Sequence, residues 1–561
     1  MYNKNSLLLL ASLCLSCSDG AKSQDTPNPP TPEPDPGVDT PTPTPTGPPN
    51  IIVILMDDVG YSDLGCYGSE IETPNIDRLA NNGLRLRTFY NQARSAPTRA
   101  SLLTGLYPHQ VGYGSLKRFP NIPNYQGWVN TKNVFIPELL EQKGYLNIMT
   151  GKWHIGADKG CTPIRRGFNE SLDFSKGGYY FYNDPEGALN LNDKAISLTD
   201  SRLPSTNWYS TELMTTAGLN YIDKALQQDK PFFWYLAYNA AHFPLQAPAD
   251  IKTKYKGRYM EGWEAVRKKR FNKQKTLGLF ESDQQLTPLN PLSPKWSSLN
   301  NTTKTRYDYQ MAIYASIIDV MDQQIGRIIS YLEQKNILNN TMIILLSDNG
   351  GNAEPKMEGR FEGSDPGSVN SIVYLGGSWA DVTNTPYFLY KHHAHEGGCC
   401  TPFIIHFPSR MSKSVRGTIN KDYYGHVIDI MPSIVDLLDL EYPSRYNNQT
   451  IPAMEGQSFL PLLEGKSISN ERPIVVEHEG NKMYRKGKWK IVQEFKEEKW
   501  RLYDMTATPT EMSDVSLQYP YVLSSMVSEY FDKAAKIGID TELDEFEIGK
   551  WYTPVESYFL Q

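Results

Sequence analysis

The chain has 561 residues, 39% of them hydrophobic, which supports one large core and a smaller companion and excludes a short binding module. Its net charge of −7, from 56 basic and 63 acidic side chains with no long Lys/Arg block, excludes a protein built to track a phosphate backbone, so no nucleic-acid partner is expected.

Lys4 followed by the apolar stretch Leu7 to Leu15 has the basic start and short length of a secretory signal, and is too short to span a bilayer. Ser16-Cys17 closes that stretch like a bacterial lipobox, a fit that Cys14 after Leu13 makes less well. Residues 1–16 are thus expected to be a lipoprotein signal peptide. Cys17 would be the acylated first residue of a cell-envelope protein, periplasmic or on the outer-membrane surface, touching the membrane only through its lipid anchor. An ordinary signal peptide cleaved nearby is the alternative. From Asp25 to Pro49 the chain is almost entirely Pro, Thr, Asp and Gly, so residues 17–49 read as an extended linker. Cys66, Cys161, Cys399 and Cys400 make no disulfide framework, and the adjacent pair Cys399-Cys400 could bridge or stay reduced.

Ordered structure is expected from Ile51, where Ile51-Ile52-Val53-Ile54-Leu55-Met56 is a continuous apolar run suited to a strand buried on both faces. Similar runs are Phe232 to Tyr238, Met342 to Leu346 and Phe403 to Ile405, with a weaker one at Tyr145 to Met149. Between them, Pro137 and Gly144 bracket a short helix over Glu138 to Lys143. Tyr314, Ile317, Ile318, Met321, Ile325, Ile328, Ile329 and Leu332 recur at helical spacing and stop before Asn336. Strands alternating with helices predict an α/β domain over 50–465, a large mixed, mostly parallel sheet sandwiched by helices. Residues 466–561 read as a smaller α+β subdomain with a short antiparallel sheet containing Ile474-Val475-Val476 and Trp489 to Val492. The polar, aromatic stretches Ser171 to Asp229 and Asp250 to Thr305 read as irregular insertions that could wall a substrate pocket, where Tyr179, Tyr180, Tyr182 and Trp208 either stack on sugars or pack.

In open parallel sheets ligands sit beyond the carboxyl ends of the strands. There the first run ends in Asp57-Asp58, another in Asp348-Asn349, the weak one in Lys152-Trp153-His154, and the Phe232 run leads to His242. Any one of these pairs could be only a turn or a helix cap. Three carboxylates and an amide oxygen at one edge would instead repel without a hard cation, and oxygen ligands in a flexible set favour one calcium ion. Lys152, His154 and His242 suit a tetrahedral oxyanion beside it. Ser95 opens an expected helix in Ser95-Ala96-Pro97-Thr98-Arg99, where it is either a helix cap or a nucleophile needing activation. No Gly-x-Ser-x-Gly elbow supports an acyl-hydrolase triad.

Ser95-x-Pro97-x-Arg99 followed by Thr104-Gly105 resembles the type I sulfatase signature in its serine form. Asp57-Asp58-x-Gly60, Gly151-Lys152-Trp153-His154, His242-Phe243-Pro244, Ser347-Asp348-Asn349-Gly350 and Lys391 with Glu396-Gly397-Gly398 are similar to further motifs of that family, in its order. The resemblance runs from about Ile51 to Pro408, with Leu502-Tyr503-Asp504 and Pro509-Thr510-Glu511 similar to the family's C-terminal subdomain. It implies an alkaline-phosphatase-like fold. One departure is Cys400, where many relatives carry Arg. Asn349 stands where the dizinc phosphatases of the wider superfamily typically place His, which favours a single oxygen-ligated ion.

The resemblance further implies that a sulfatase-maturating enzyme oxidises Ser95 to formylglycine, whose hydrate attacks sulfur. Asp57, Asp58, Asp348 and Asn349, with Ser95 adjoining, would hold the calcium. Arg99 would hold the aldehyde hydrate, Lys152 and Lys391 would neutralise sulfate oxygens, His242 would protonate the leaving alcohol, and His154 would act as base. The substrate expected is a sulfated glycan, most simply sulfated galactose or N-acetylgalactosamine of mucin or glycosaminoglycan, desulfated from its end. A phosphate mono- or diester hydrolase with Ser95 unmodified, or a catalytically silent glycan-binding lipoprotein, are the alternatives.

Overall fold

A computed structural model describes residues 47–174, 177, 181–182, 189–204, 208–543 and 546. The signal peptide, Cys14, Cys17, nearly all of the linker, Tyr179 and Tyr180 lie outside the described residues. The described residues form one compact unit, and no helix among them is long and apolar enough to cross a membrane.

The main sheet is built from β1 (Asn50–Met56), β2 (Leu84–Tyr90), β3 (Leu146–Lys152), β4 (Glu170–Phe174), β5 (Leu189–Leu191), β6 (Lys194–Ile196), β7 (Phe232–Ala237) and β8 (Thr341–Ser347). A two-stranded ribbon, β9 (Arg360–Glu362) and β10 (Ile372–Tyr374), stands apart, and β11 (Phe403–His406) and β12 (Thr418–His426) complete the sheet. Its order is β12-β2-β11-β8-β1-β7-β3-β4-β5-β6, with β8, β1, β7, β3 and β4 parallel in one block. The Phe403 run is antiparallel to both its neighbours, β2 and β8.

The apolar runs become strands because both faces are covered. Ile52, Ile54 and Met56 of β1 enter one hydrophobic core while Ile51, Val53 and Leu55 enter another on the opposite face, and β7 and β8 divide their side chains the same way. Each such side chain contributes about 1.5–3 kcal/mol on burial. Helix Asn301–Gln334 covers one face; it begins well before Tyr314 because Asn300 caps it, its side chain accepting the Thr303 N–H at 2.9 Å. The short expected helix is Ile136–Leu140, continued by a tighter turn Glu141–Lys143 that ends on Gly144 at φ +71°.

The two stretches read as irregular insertions are more ordered than expected. Ser171 to Asp229 contains most of β4, β5, β6 and helix Ser210–Gln227, and Asp250 to Thr305 contains helix Trp263–Thr276. Trp208 is buried, its indole N–H donating to Leu198 O at 2.9 Å, and Tyr182 packs on Tyr209, so both serve packing.

After the small pair β13 (Arg445–Tyr446) and β14 (Gln449–Thr450), the C-terminal antiparallel sheet runs β15 (Ile474–His478), β16 (Asn481–Lys486), β17 (Trp489–Gln493), β18 (Arg501–Asp504). Helix Pro520–Ile537 lays Met526, Tyr530, Ala534 and Ile537 on Val475, Tyr484, Ile491 and Leu502. Lys490 of β17 is buried between Glu396, at 2.6 Å, and Glu511, at 2.8 Å, tying this sheet to the segment after Lys391. Burial alone would raise the Glu511 carboxyl, but the Lys490 and His395 charges more than offset it and hold it below its ordinary 4.5. A depressed carboxylate stabilises the fold fully above its unfolded value and loses that contribution as pH falls toward the folded value. Glu511→Gln is therefore expected to cost roughly 2–3 kcal/mol at neutral pH and to flatten the fall in urea midpoint between about pH 5 and about pH 3. An unchanged slope would remove Glu511 from the acid sensitivity.

Candidate active site

Strands β8, β1, β7 and β3 lie side by side, and their carboxyl ends carry the residues singled out in the sequence. The β1–β8 register pairs Met56 with Ser347, so Asp57 and Asp348 leave the sheet next to one another. Asp58 follows in the left-handed region at φ 59°, a conformation Asp tolerates, with its N–H directed at Asp348 Oδ1 at 3.3 Å. Gly151 sits at φ +110°, and a Cβ there would lie 1.9 Å from Ala237 O; only glycine lets β3 approach β7 and deliver Lys152.

Ser95 is the first residue of helix Ser95–Thr104, and the capping position is Arg94, with no side-chain cap. Its hydroxyl therefore does not serve the helix. Ser95 Oγ lies 3.2 Å from Asp57 Oδ1 and 3.2 Å from Asn349 Oδ1, between two oxygen acceptors. Cations surround the carboxylates. Lys152 Nζ is 2.5 Å from Asp57 Oδ2; Lys391 Nζ is 2.8 and 3.0 Å from the two Asp58 oxygens. Arg99 Nη2 donates to Asp348 Oδ2 at 2.8 Å and lies 3.6 Å from Asp57 Oδ2, while its Nη1 donates to Lys152 O at 2.9 Å. All of these side chains are buried.

Charge is not balanced evenly. Burial acts to raise Asp58, but Lys391, His242 and Lys152 outweigh it and hold that carboxyl far below its usual range. Burial and the neighbouring Asp57 charge lift Asp348 to about 6 despite Arg99 and Lys152. Three carboxylates thus face three cations, Lys152, Lys391 and Arg99, and Asp348 is the carboxylate whose neighbours offset burial least. A divalent cation fits the donor set: buried carboxylate and amide oxygens converge there, and one ligand atom each of Asp57, Asp58 and His242 lie within 4.8 Å of one another. Asp57 Oδ1 and Asn349 Oδ1, both facing Ser95 Oγ, would be the natural ligands on the serine side.

His242 Nδ1 donates to Phe243 O at 2.8 Å, which leaves Nε2 facing Asp58 Oδ2 at 3.6 Å. Burial, followed by the Lys391 and Lys152 charges, lowers this imidazole to about 3. His154, at φ 60°, is also held well below its ordinary value, by burial and by Lys152 and Arg99, and its buried Nδ1 has no hydrogen-bond partner. Both rings are therefore neutral at pH 7. All ten sequence-predicted residues therefore come to one sheet edge, Lys391 reaching it from the loop before helix Glu396–Cys399.

Three participants were not read from the sequence. Asn352 Nδ2 donates to Asp58 Oδ2 at 2.9 Å, and Arg94 pairs with Glu354 at 2.9 Å beside the site. Their position, directly before Ser95 or in the loop after Asp348-Asn349, was the available signal. Cys400 is a buried free thiol with Sγ 4.0 Å from Arg87 O and from the Tyr387 hydroxyl; Cys399 is likewise unbridged.

A sulfatase family profile matches residues 49–440. An uncharacterized sulfatase of Schizosaccharomyces pombe is 31% identical over 533 residues, covering 89% of this chain and 95% of its own. An arylsulfatase of Klebsiella aerogenes is 32% identical over 451 residues, covering 76% of this chain and 94% of its own. Among solved structures, Ps i-CgsB in complex with k-i-k-neocarrahexaose superposes with a TM-score of 0.64 at 25% identity, over 91% of this chain and 96% of that one.

Proposed function

This chain belongs to the sulfatase family and hydrolyses sulfate esters, and from that premise we propose that it does so through a formylglycine made from Ser95, with one calcium ion, on a sulfated glycan. The observation that carries the reading is the position of Ser95 Oγ between Asp57 Oδ1 and Asn349 Oδ1, with Lys152 paired to Asp57 and Lys391 to the adjoining Asp58.

Oxidation of Ser95 replaces a weak hydroxyl with an aldehyde whose hydrate offers one hydroxyl for attack and one for release. Calcium, when bound, supplies positive charge that lowers the pKa of an adjoining hydroxyl and offsets that of sulfate. Asp57, Asp58, Asp348 and Asn349 would hold it. Lys152 and Lys391, which pair with Asp57 and Asp58, would supply positive charge to the sulfate oxygens. Arg99, fixed by Asp348 and Lys152 O, anchors the helix end that carries the nucleophile.

His242 holds a proton at Nδ1 and presents Nε2 to the site. An incoming sulfate ester adds negative charge beside this ring, which raises its pKa and loads Nε2 with the proton that the leaving alcohol requires. His154, neutral and with Nδ1 unpartnered, takes up the proton when sulfate is expelled. His242→Ala is expected to lower kcat by about 10²–10⁴-fold on an alkyl sulfate of a sugar and far less on a nitrophenyl sulfate, whose phenolate leaves without a proton. Equal losses on both would contradict the acid role.

The glycan assignment draws support from the hexaose ligand of the similar structure and from a site at the open edge of the sheet. A lipid at Cys17 would hold the enzyme in the cell envelope, in the periplasm or on the outer surface, and a sulfatase-maturating enzyme would supply the oxidation of Ser95. Sulfate release from galactose and N-acetylgalactosamine O-sulfates of defined position, with and without a calcium chelator, tests the reading. Release from at least one of these sugars, abolished by chelation and restored by calcium, is expected; no release from any of them, with hydrolysis of the matching sugar phosphates instead, would overturn it.

A further inference from the structure

We propose that His392, His478 and Glu479 form a second metal site, distinct from the Asp57–Asp348 cluster, that takes one zinc-type divalent ion and ties the Lys391 loop to the first hairpin of the C-terminal sheet. His392 Nδ1 lies 3.7 Å from Glu479 Oε2, His478 Nε2 lies 3.7 Å from Glu479 Oε1, and the three ligand atoms fall within 4.8 Å of one another. Zinc bonds of about 2.0–2.2 Å in tetrahedral geometry place ligand atoms roughly 3.4 Å apart. Each histidine nitrogen stands within a few tenths of an ångström of that spacing from one of the two Glu479 oxygens, and with one atom per residue all three spacings lie within 4.8 Å.

His478 is fully buried, and neither of its ring nitrogens has a hydrogen-bond partner. An imidazole carries both a donor and an acceptor, and native proteins seldom bury either unsatisfied. An ion at the centre of the triad satisfies the nitrogen that faces Glu479. The backbone holds the triad ready. His478 ends β15 and Glu479-Gly480 is the two-residue loop to β16, with both residues in the left-handed region at φ 50° and 86°. His392 is also held at φ 89°, rare for a side-chain-bearing residue, with its N–H donating to Ala93 O at 2.8 Å. Asn481 Nδ2 donates to both His392 O, at 3.2 Å, and His478 O, at 3.1 Å, clamping loop to hairpin.

The chemical states also suit a ligand set. Burial lowers His392 to about 3 and lowers His478, so both imidazoles are neutral at pH 7, while Glu479, held at about 2 because the two rings as they protonate and Arg94 outweigh burial, is a carboxylate there. Arg94 is the adjacent cation that would oppose an ion, and its pairing with Glu354 at 2.9 Å offsets that charge. His109 is engaged by Glu477 at 2.6 Å and stands outside the set. The His392 and Glu479 side chains are 15% and 14% exposed, which gives an ion its entry and a water the fourth position.

The test does not depend on the chemistry of Ser95. The full chain with Ser95→Ala, in millimolar calcium to fill the Asp57–Asp348 cluster, is titrated with Co²⁺ as a spectroscopic probe and then with Zn²⁺. One equivalent of Co²⁺ is expected, with the intense visible absorption of a four- or five-coordinate ion, displaced by Zn²⁺. His478→Ala is expected to weaken binding by about 100-fold or more. His392→Ala and Glu479→Gln, at partly exposed positions, decide the matter if the buried variant fails to fold. Absence of stoichiometric binding, or binding of wild-type strength in both His392→Ala and Glu479→Gln, would overturn the site.

Discussion

Ser95→Ala abolishes sulfate release, lowering turnover by on the order of 10³-fold or more, because no other group can replace the attacking hydroxyl. The loss should be specific to chemistry. Ser95 Oγ contributes two long hydrogen bonds, to Asp57 and Asn349, and nothing to capping its helix. Folded stability should fall by no more than about 1 kcal/mol. The carboxylates that would bind calcium stay in place, so calorimetric calcium binding should persist in a protein that no longer turns over. A variant that keeps a near-native rate would remove Ser95 from the mechanism, and one that loses calcium binding along with activity would make its role structural. The same logic applies to protein made where no maturating enzyme is present: it should fold, bind calcium and remain inactive.

The second large effect is expected at Arg99, for a different reason. Its guanidinium is fully buried and holds Asp348 at 2.8 Å, Asp57 at 3.6 Å and the Lys152 carbonyl at 2.9 Å. Arg99→Met preserves much of the volume but strands a carboxylate already pushed up to about 6 by burial and Asp57. Removing one partner from a buried ion pair costs about 3–5 kcal/mol. Calcium neutralises the same carboxylates, so it should recover part of this loss through linkage, and the calcium-induced rise in Tm should be larger in the variant than in the wild type. An equal rise in both proteins would show that Arg99 and the ion do not share a charge.

Much of this arrangement was legible before any coordinates. The runs leading into Asp57, Lys152, His242 and Asp348 pointed to buried parallel strands, and strand-end chemistry then pointed to the site. The parts that were not legible share a physical cause. The Phe403 run is apolar on both faces whichever way it points, so its antiparallel direction could come only from its partners. Strand β2, with Arg at alternate positions, buries Arg85 by donating to Cys66 O and Gly417 O. Helix Trp263–Thr276 has no wide apolar stripe because its inward face is polar: Arg267 donates to the carbonyls of Asp381 and Tyr387, and Arg270 to Asp63 and Glu70. Satisfied buried cations look like surface in a sequence, and such helices read as irregular insertions.

The serine itself shows the same division. In sequence it was either a helix cap or a nucleophile; in the structure Arg94 takes the capping position and the hydroxyl turns to the carboxylates. What geometry cannot perform is the oxidation that gives this residue its reactivity. The direct measurement is the mass of the peptide containing Ser95 from protein that is actively releasing sulfate. The account predicts a peptide two hydrogens lighter than the encoded one, trapped by an aldehyde reagent, in an amount that tracks specific activity. Full activity in protein whose Ser95 peptide has its unmodified mass would contradict it.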